Sequence, residues 1–147
     1  TFAGLFSWAG TTVGLIDKAS QLIVSISDNP YIILIMVNII LLIAGMLLDA
    51  ISIFYVFLPI FMPIMARYNF DPVWFGVLMT VNLAIGQVTP PIAVNLYVGS
   101  NISGVSLEEL SKEVIPLVIA AIGALLIITY FPALSLYLPK LFGIYHP

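Results

Sequence analysis

The run Gly86-Gln87-Val88-Thr89-Pro90-Pro91 sits at the centre of an otherwise apolar stretch, residues 72–102, opened by Asp71-Pro72. A residue before proline is pushed out of helical backbone, so the chain at Val88 and Thr89 does not readily continue a helix. Proline is welcome in the first turn of a new helix, and threonine is a good N-cap, so Thr89 is expected to cap a second helix entered at Pro90. The run therefore predicts a discontinuous helix, broken over 86–91. If the stretch crosses a membrane, non-helical backbone at that depth must be buried in protein or line a watery cavity. The competing reading is a plain proline kink; glycine, glutamine, threonine and two prolines together favour a functional break.

Working outward, composition fixes the class. Of 147 residues, 62% are hydrophobic and 7% charged, against about 25% charged in a soluble domain. Mean hydropathy is +1.19. A soluble enzyme, a nucleic-acid binder and a disordered chain are excluded. An all-α polytopic membrane protein remains, with room for roughly four or five membrane elements at about 20 apolar residues each. Cysteine is absent, which excludes disulfides and thiolate metal sites. The single histidine, His146, stands one residue from the end, which argues against histidine catalysis or metal ligation. The chain opens on Thr1 and is apolar from Phe2 to Trp8, with no basic n-region. It is read as a C-terminal piece of a longer membrane protein.

Four units are expected. Residues 1–28 hold the end of a membrane helix and then an interfacial arm. In the arm Leu15, Ala19, Leu22, Ile23 and Ile26 recur at helical spacing opposite Asp17, Lys18, Ser20 and Gln21. Asn29-Pro30 stops it. Residues 29–69 hold a long apolar region interrupted by Gly45 and Asp49, with Pro59 and Pro63 in its second half. Either this is two spans joined by a turn, or a re-entrant hairpin whose tip, Gly45 to Ser52, stops inside the bilayer. The first arm, taken as Tyr31 to Ala44, reaches roughly 21 Å, short of the ~30 Å hydrocarbon core, and this favours the hairpin. Residues 70–103 hold the broken helix. Residues 104–147 hold a polar connector, a capping-box start at Ser106 with Glu109, and a last span marked by Pro116, Pro132 and Pro139. Tyr130, Phe131, Tyr137, Phe142 and Tyr145 gather late in this span, as in an interfacial belt.

Asp49 is the only acid inside an apolar stretch. A membrane-embedded carboxylate is by default a functional candidate, but Asp49 is equally placed to N-cap the helix after it. Ser52 shares its turn. Asn38 and Asn82 are read as amides that tie helices together; Asn95, just past the break, is open between packing and substrate contact. Trp8 and Trp74 suit interface anchors, and Glu108, Glu109, Lys112 and Glu113 a solvated loop. An intramembrane peptidase needs facing aspartates or a serine with a base, and this chain supplies neither.

Asn38 to Asp49 (NIILLIAGMLLD), Asp71 to Pro91 (DPVWFGVLMTVNLAIGQVTPP) and Thr129 to Pro139 (TYFPALSLYLP) resemble the C-terminal half of the large membrane subunit of tripartite ATP-independent periplasmic (TRAP) transporters. The most specific part is Asn82 to Pro91. The family usually carries glycine shortly after the two prolines, where this chain has Ile92-Ala93.

The resemblance implies an elevator-type transporter of two inverted repeats, each with a re-entrant hairpin and a broken helix, this chain being most of the second. It implies Na⁺-coupled import of an organic acid, such as a C4-dicarboxylate or sialic acid, across the bacterial inner membrane, with the hairpin base facing the periplasm. The expected partners are the first repeat of the large subunit, a small four-helix membrane subunit, a periplasmic substrate-binding protein and the lipid bilayer, but no nucleic acid.

The tip and the break match where the family builds its second Na⁺ site. The expected ligands are carbonyls near Gly45, Met46 and Gly86 and the hydroxyl of Thr89, since a hard cation prefers oxygen; Asp49 ranks after these. Ser52, Pro90 and Asn95 are the substrate-side candidates. The competing functions are a channel or pore subunit, since a broken helix also lines pores, and a purely structural membrane subunit.

Overall fold

The computed structural model describes residues 2–143. His146 and Tyr145, singled out above, lie outside the described residues. Among the described residues eight helices follow in order: α1 (Phe2–Thr12), α2 (Leu15–Ile26), α3 (Pro30–Leu47), α4 (Ala50–Tyr68), α5 (Pro72–Gly86), α6 (Val94–Ser103), α7 (Leu107–Tyr130) and α8 (Pro132–Leu141).

Local chemistry sets most helix starts. Asn29, Asp49, Asp71 and Ser106 each stand at an N-cap and accept from backbone amides of the first turn: Tyr31, Ser52, Val73 with Trp74, and Glu109 respectively. Proline opens α3, α5 and α8, where its missing N–H costs nothing. α3, α4 and α7 are long and apolar enough to cross a membrane. Together with the large apolar side chains left exposed on them, such as Ile35, Ile39, Tyr55, Ile119 and Ile127, this is the build of a multi-pass membrane protein.

α3 and α5 form the central pair. Ile33, Leu34, Val37, Leu41 and Ala44 on α3 meet Trp74, Phe75, Leu78, Met79 and Leu83 on α5 in one buried cluster. The buried positions of α3 recur every three or four residues, as one helical face requires. α1 and α2 pack on α4, α7 and α8 on α5, and α6 on α7. Phe61 of α4 meets Phe75 edge-on at 5.9 Å. Trp74 has a specific task. Pro132 has no N–H to offer the Ile128 carbonyl four residues back, and the Trp74 indole N–H donates to that carbonyl at 2.8 Å. The expected interface anchor is therefore a buried bridge between α5 and α7.

The ends of the α3–α4 pair lie together. Arg67 pairs with Asp28 at 3.2 Å, and the Tyr68 hydroxyl donates to the Ser27 carbonyl at 3.3 Å. The first arm is longer than the expected Tyr31 to Ala44. α3 has 18 residues, about 27 Å at 1.5 Å per residue. Gly45 and Met46 belong to its last turn, and only Leu48 and Asp49 separate it from α4. Length alone therefore does not separate a re-entrant hairpin from two short spans.

A second correction concerns α2. Its inward face is Ile16, Ser20 and Val24, while Leu15, Leu22 and Ile26 of the expected apolar face stay exposed. A helix with packed, apolar-exposed and polar faces suits a position at the membrane surface. Ile23→Pro removes a backbone donor from this helix interior and strains its turn, at ~3 kcal/mol. On the transporter reading that the sequence resemblance implies, membrane insertion and yield are expected to hold while uptake falls several-fold, as for an arm that brackets moving parts; wild-type uptake would remove that role.

Candidate functional site

The end of α3 meets the end of α5 backbone to backbone. A Cβ built on Gly86 would lie 2.6 Å from the Gly45 carbonyl carbon, 2.7 Å from its Cα and 3.0 Å from its oxygen. A Cβ on Gly45 would lie 3.3 Å from the Gly86 Cα. The approach requires glycine at position 86, and a Cβ at position 45 would be tight. Both are buried. Glycine within α3 thus marks a helix contact, where sequence reading took it for the edge of a turn.

α5 ends at Gly86, and the chain stays non-helical until Val94. Thr89 does not cap a new helix. Its amide donates to the Gly86 carbonyl at 3.0 Å and its hydroxyl to the Ile85 carbonyl at 2.7 Å, so it closes the end of α5. The N-cap of α6 is Ala93. The physical reason is local: threonine four residues after Ile85 reaches a last-turn carbonyl that has a second lone pair beyond its bond from the Val88 amide, and the helix ahead begins only after both prolines. The Pro90–Pro91 peptide bond is cis.

Ala93 is buried and has φ 43° and ψ 55°. This is left-handed backbone, which costs an L-residue with a Cβ about 1–2 kcal/mol relative to glycine. It falls where glycine is expected from the resemblance described above. Ala93→Gly is expected to stabilise by about 1 kcal/mol, read as a rise in the midpoint of thermal unfolding; a fall would mean that the lost methyl contact outweighs the relieved strain.

The expected site residues fall into three groups. Gly45, Met46, Gly86 and Thr89 come together at the α3–α5 junction: Gly45 touches Gly86, Met46 follows it in the last turn of α3, and Thr89 is bonded to Gly86. Last-turn carbonyls lack partners further along their helix and carry partial negative charge. The Thr89 hydroxyl gives its proton to Ile85, which leaves its oxygen lone pairs for an electropositive group.

Asp49 and Ser52 form the second group. The Asp49 carboxylate accepts the Ser52 amide at 2.9 Å, so the cap reading of Asp49 holds, and the side chain is exposed. Among the described residues no hydrogen bond links either to the break. Asn95 and Pro90 form the third. Pro90 is exposed in the break. Asn95 donates its side-chain amide to Gln87 Oε1 at 3.4 Å and its backbone amide to the Gln87 carbonyl at 3.3 Å, which folds the break back on the start of α6.

Sequence reasoning passed over two features. Gln87 shows no role in the sequence pattern, yet its side chain and carbonyl both accept from Asn95. Thr129 was quoted only for its resemblance, yet it joins a buried network in which Asn82 Nδ2 donates to Asn38 Oδ1 at 2.8 Å and Asn38 Nδ2 to Thr129 Oγ1 at 3.0 Å. The packing role expected of Asn38 and Asn82 is what the structure shows. Among the described residues no group of three or more His, Cys, Asp or Glu gathers as for a metal ion; the oxygen donors at the junction are carbonyls and a hydroxyl.

A family model described as the DctM component of the tripartite ATP-independent periplasmic transporter matches residues 1–134. The chain is 42% identical over 118 residues to the isethionate TRAP transporter permease protein DctMQ of Oleidesulfovibrio alaskensis, covering 80% of this chain and 19% of that protein. It is 37% identical over 143 residues to the C4-dicarboxylate TRAP transporter large permease protein DctM of Rhodobacter capsulatus, covering 97% of this chain and 32% of that one. It is 32% identical over 138 residues to the sialic acid TRAP transporter large permease protein SiaM of Vibrio cholerae, covering 94% and 32%. The chain thus spans a third or less of the length of these curated relatives.

Proposed function

Since the chain belongs to the family of the DctM component of TRAP transporters, we propose that it forms part of a Na⁺-coupled importer of an organic acid in the bacterial inner membrane and carries one of its ion sites. The relatives' names speak of isethionate, C4-dicarboxylate and sialic acid, all anionic organic acids. The other repeat of the large subunit, a small membrane subunit and a periplasmic binding protein that delivers the acid complete the system. In this reading α3 and α4 are a re-entrant hairpin, α5 and α6 a discontinuous helix, and the assembly moves as an elevator.

The observation that carries the proposal is the Gly45–Gly86 contact. It places the carbonyl ends of two helices side by side, which is how discontinuous transporter helices collect oxygen ligands for Na⁺. Carbonyls of Gly45, Met46 and Gly86 and the hydroxyl of Thr89 hold the ion. Asp49 supports the tip by capping α4. The acid's anionic group approaches from the side of Ser52, Pro90 and Asn95, where one Asn95 N–H is left over after the bond to Gln87.

Proteoliposomes carrying the full-length transporter and its binding protein test this. Labelled succinate, sialic acid and isethionate are offered under an inward Na⁺ gradient or an equal K⁺ gradient. Saturable uptake of one acid that collapses without the Na⁺ gradient is expected. Uptake indifferent to Na⁺, or a non-saturating conductance, would overturn the proposal.

A further inference from the structure

We propose that Asn38, Asn82 and Thr129 form a register latch, a set of positioning residues that hold α3 on α5 so that the ion-site carbonyls keep their spacing. The inference rests on the Na⁺ reading above and adds to it a residue of α7, Thr129, distant in sequence from both tip and break.

The three side chains are 4%, 0% and 1% exposed. Their bonds run in one direction. Asn82 Nδ2 donates to Asn38 Oδ1 at 2.8 Å and to the Asn38 carbonyl at 3.3 Å. Asn38 Nδ2 donates to Thr129 Oγ1 at 3.0 Å. The Thr129 hydroxyl donates to the Leu125 carbonyl at 2.7 Å. Three helices, α3, α5 and α7, are thereby joined at one level.

The network is not built for stability. Asn82 Oδ1 is buried and has no hydrogen-bond partner, and a buried acceptor left unpaired costs free energy that an apolar side chain would not. Buried amides kept at such a cost are best attested as devices that fix register between helices. A directional contact is what the neighbouring seam lacks. Gly45 and Gly86 have no side chains to interlock, and the apolar contacts around them are non-directional.

Asn82 stands four residues before Gly86 and Asn38 seven before Gly45, so each amide lies on the same helix face as its glycine. A slip of one residue along α3 displaces its carbonyls by about 1.5 Å, enough to take a cation ligand out of reach. Among the described residues the amide pair is the side-chain hydrogen bonding that links α3 to α5 and opposes such a slip, and Thr129 holds Asn38 in the orientation that receives Asn82.

The test uses the purified full-length transporter. Thermal unfolding is followed by tryptophan fluorescence while NaCl replaces choline chloride at constant ionic strength. The wild type is expected to gain stability as Na⁺ rises, because the ion binds the folded state. Asn38→Leu/Asn82→Leu replaces both partners with apolar groups of similar size, so its melting temperature without Na⁺ stays at or above that of the wild type. Its Na⁺ midpoint is expected to rise about tenfold.

Thr129→Val, should the double variant not fold, is expected to raise the midpoint about threefold, while Thr129→Ser, which keeps the hydroxyl, restores the wild-type value. An unchanged midpoint in the double variant or in Thr129→Val overturns the latch, as does a Thr129→Ser midpoint equal to that of Thr129→Val. A wild type with no Na⁺-dependent shift overturns the ion reading itself and the latch with it.

Discussion

Gly86→Ala is expected to cut transport by the full-length protein at least about a hundredfold and to lower its stability by about 3 kcal/mol, the upper end for overpacking. The added methyl would stand 2.6 Å and 2.7 Å from two backbone atoms of Gly45, where carbon atoms are comfortable at about 3.5–4.0 Å. No rotamer relieves a clash between a Cβ and a backbone. α3 and α5 must move apart by about 1 Å, and the carbonyl ends move with them. Gly45→Ala is expected to be milder, since its methyl meets the Gly86 Cα at 3.3 Å and the flexible end of Leu83 at 3.5 Å. Gly76→Ala is the control. Nothing lies within 4 Å of its methyl, and alanine favours the helix by roughly 0.5–1 kcal/mol. Uptake rates and unfolding midpoints for the three variants check the order; wild-type uptake by Gly86→Ala would mean that the two helices do not meet there in the working transporter.

The difference between Gly86 and Gly76 also shows what can be read from this sequence. Both are glycines in one apolar stretch, and only the partner helix distinguishes them. Signals that act locally were legible. Composition and the lengths of apolar runs gave the class, Asp71 and Ser106 marked helix starts, and Asp49 was already placed to cap one, while Asn29-Pro30 read only as the stop of the arm before it. The break was legible because two adjacent prolines remove backbone donors whatever surrounds them.

What depended on a partner was not. Thr89 has the chemistry of an N-cap, and the choice between the helix behind it and the helix ahead was settled by the Ile85 carbonyl, which takes the Thr89 hydroxyl beside the Val88 amide. Gly45 read as a turn because glycine is a poor helix former, while its real use is close approach to another backbone. Asn38 finds Asn82 and Thr129 at sequence separations of 44 and 91, and no spacing rule connects them. On α2 the periodicity was present, but the stripe that faces inward, Ile16, Ser20 and Val24, is set by packing against α4, which no local signal reveals.

Thr89→Val should raise the Na⁺ concentration for half-maximal uptake about tenfold or more, with expression and folding little changed. Valine keeps the β-branched shape and removes the oxygen. The lost bond to Ile85 joins a side chain to a carbonyl that also accepts the Val88 amide at 3.2 Å, so the carbonyl keeps a partner and the structural cost is about 1 kcal/mol. The functional cost is larger, because a hard cation deprived of one inner oxygen is not compensated by a methyl group. Thr89→Ser separates the two effects. It keeps the hydroxyl, gives up only a methyl, and is expected to hold the wild-type Na⁺ dependence. If Thr89→Val leaves the Na⁺ dependence of uptake unchanged, the side chain is no ligand, and the ion can be held only by the carbonyls of Gly45, Met46 and Gly86. That outcome would place the whole demand for oxygen on the glycine seam and make the Gly86→Ala result the decisive one.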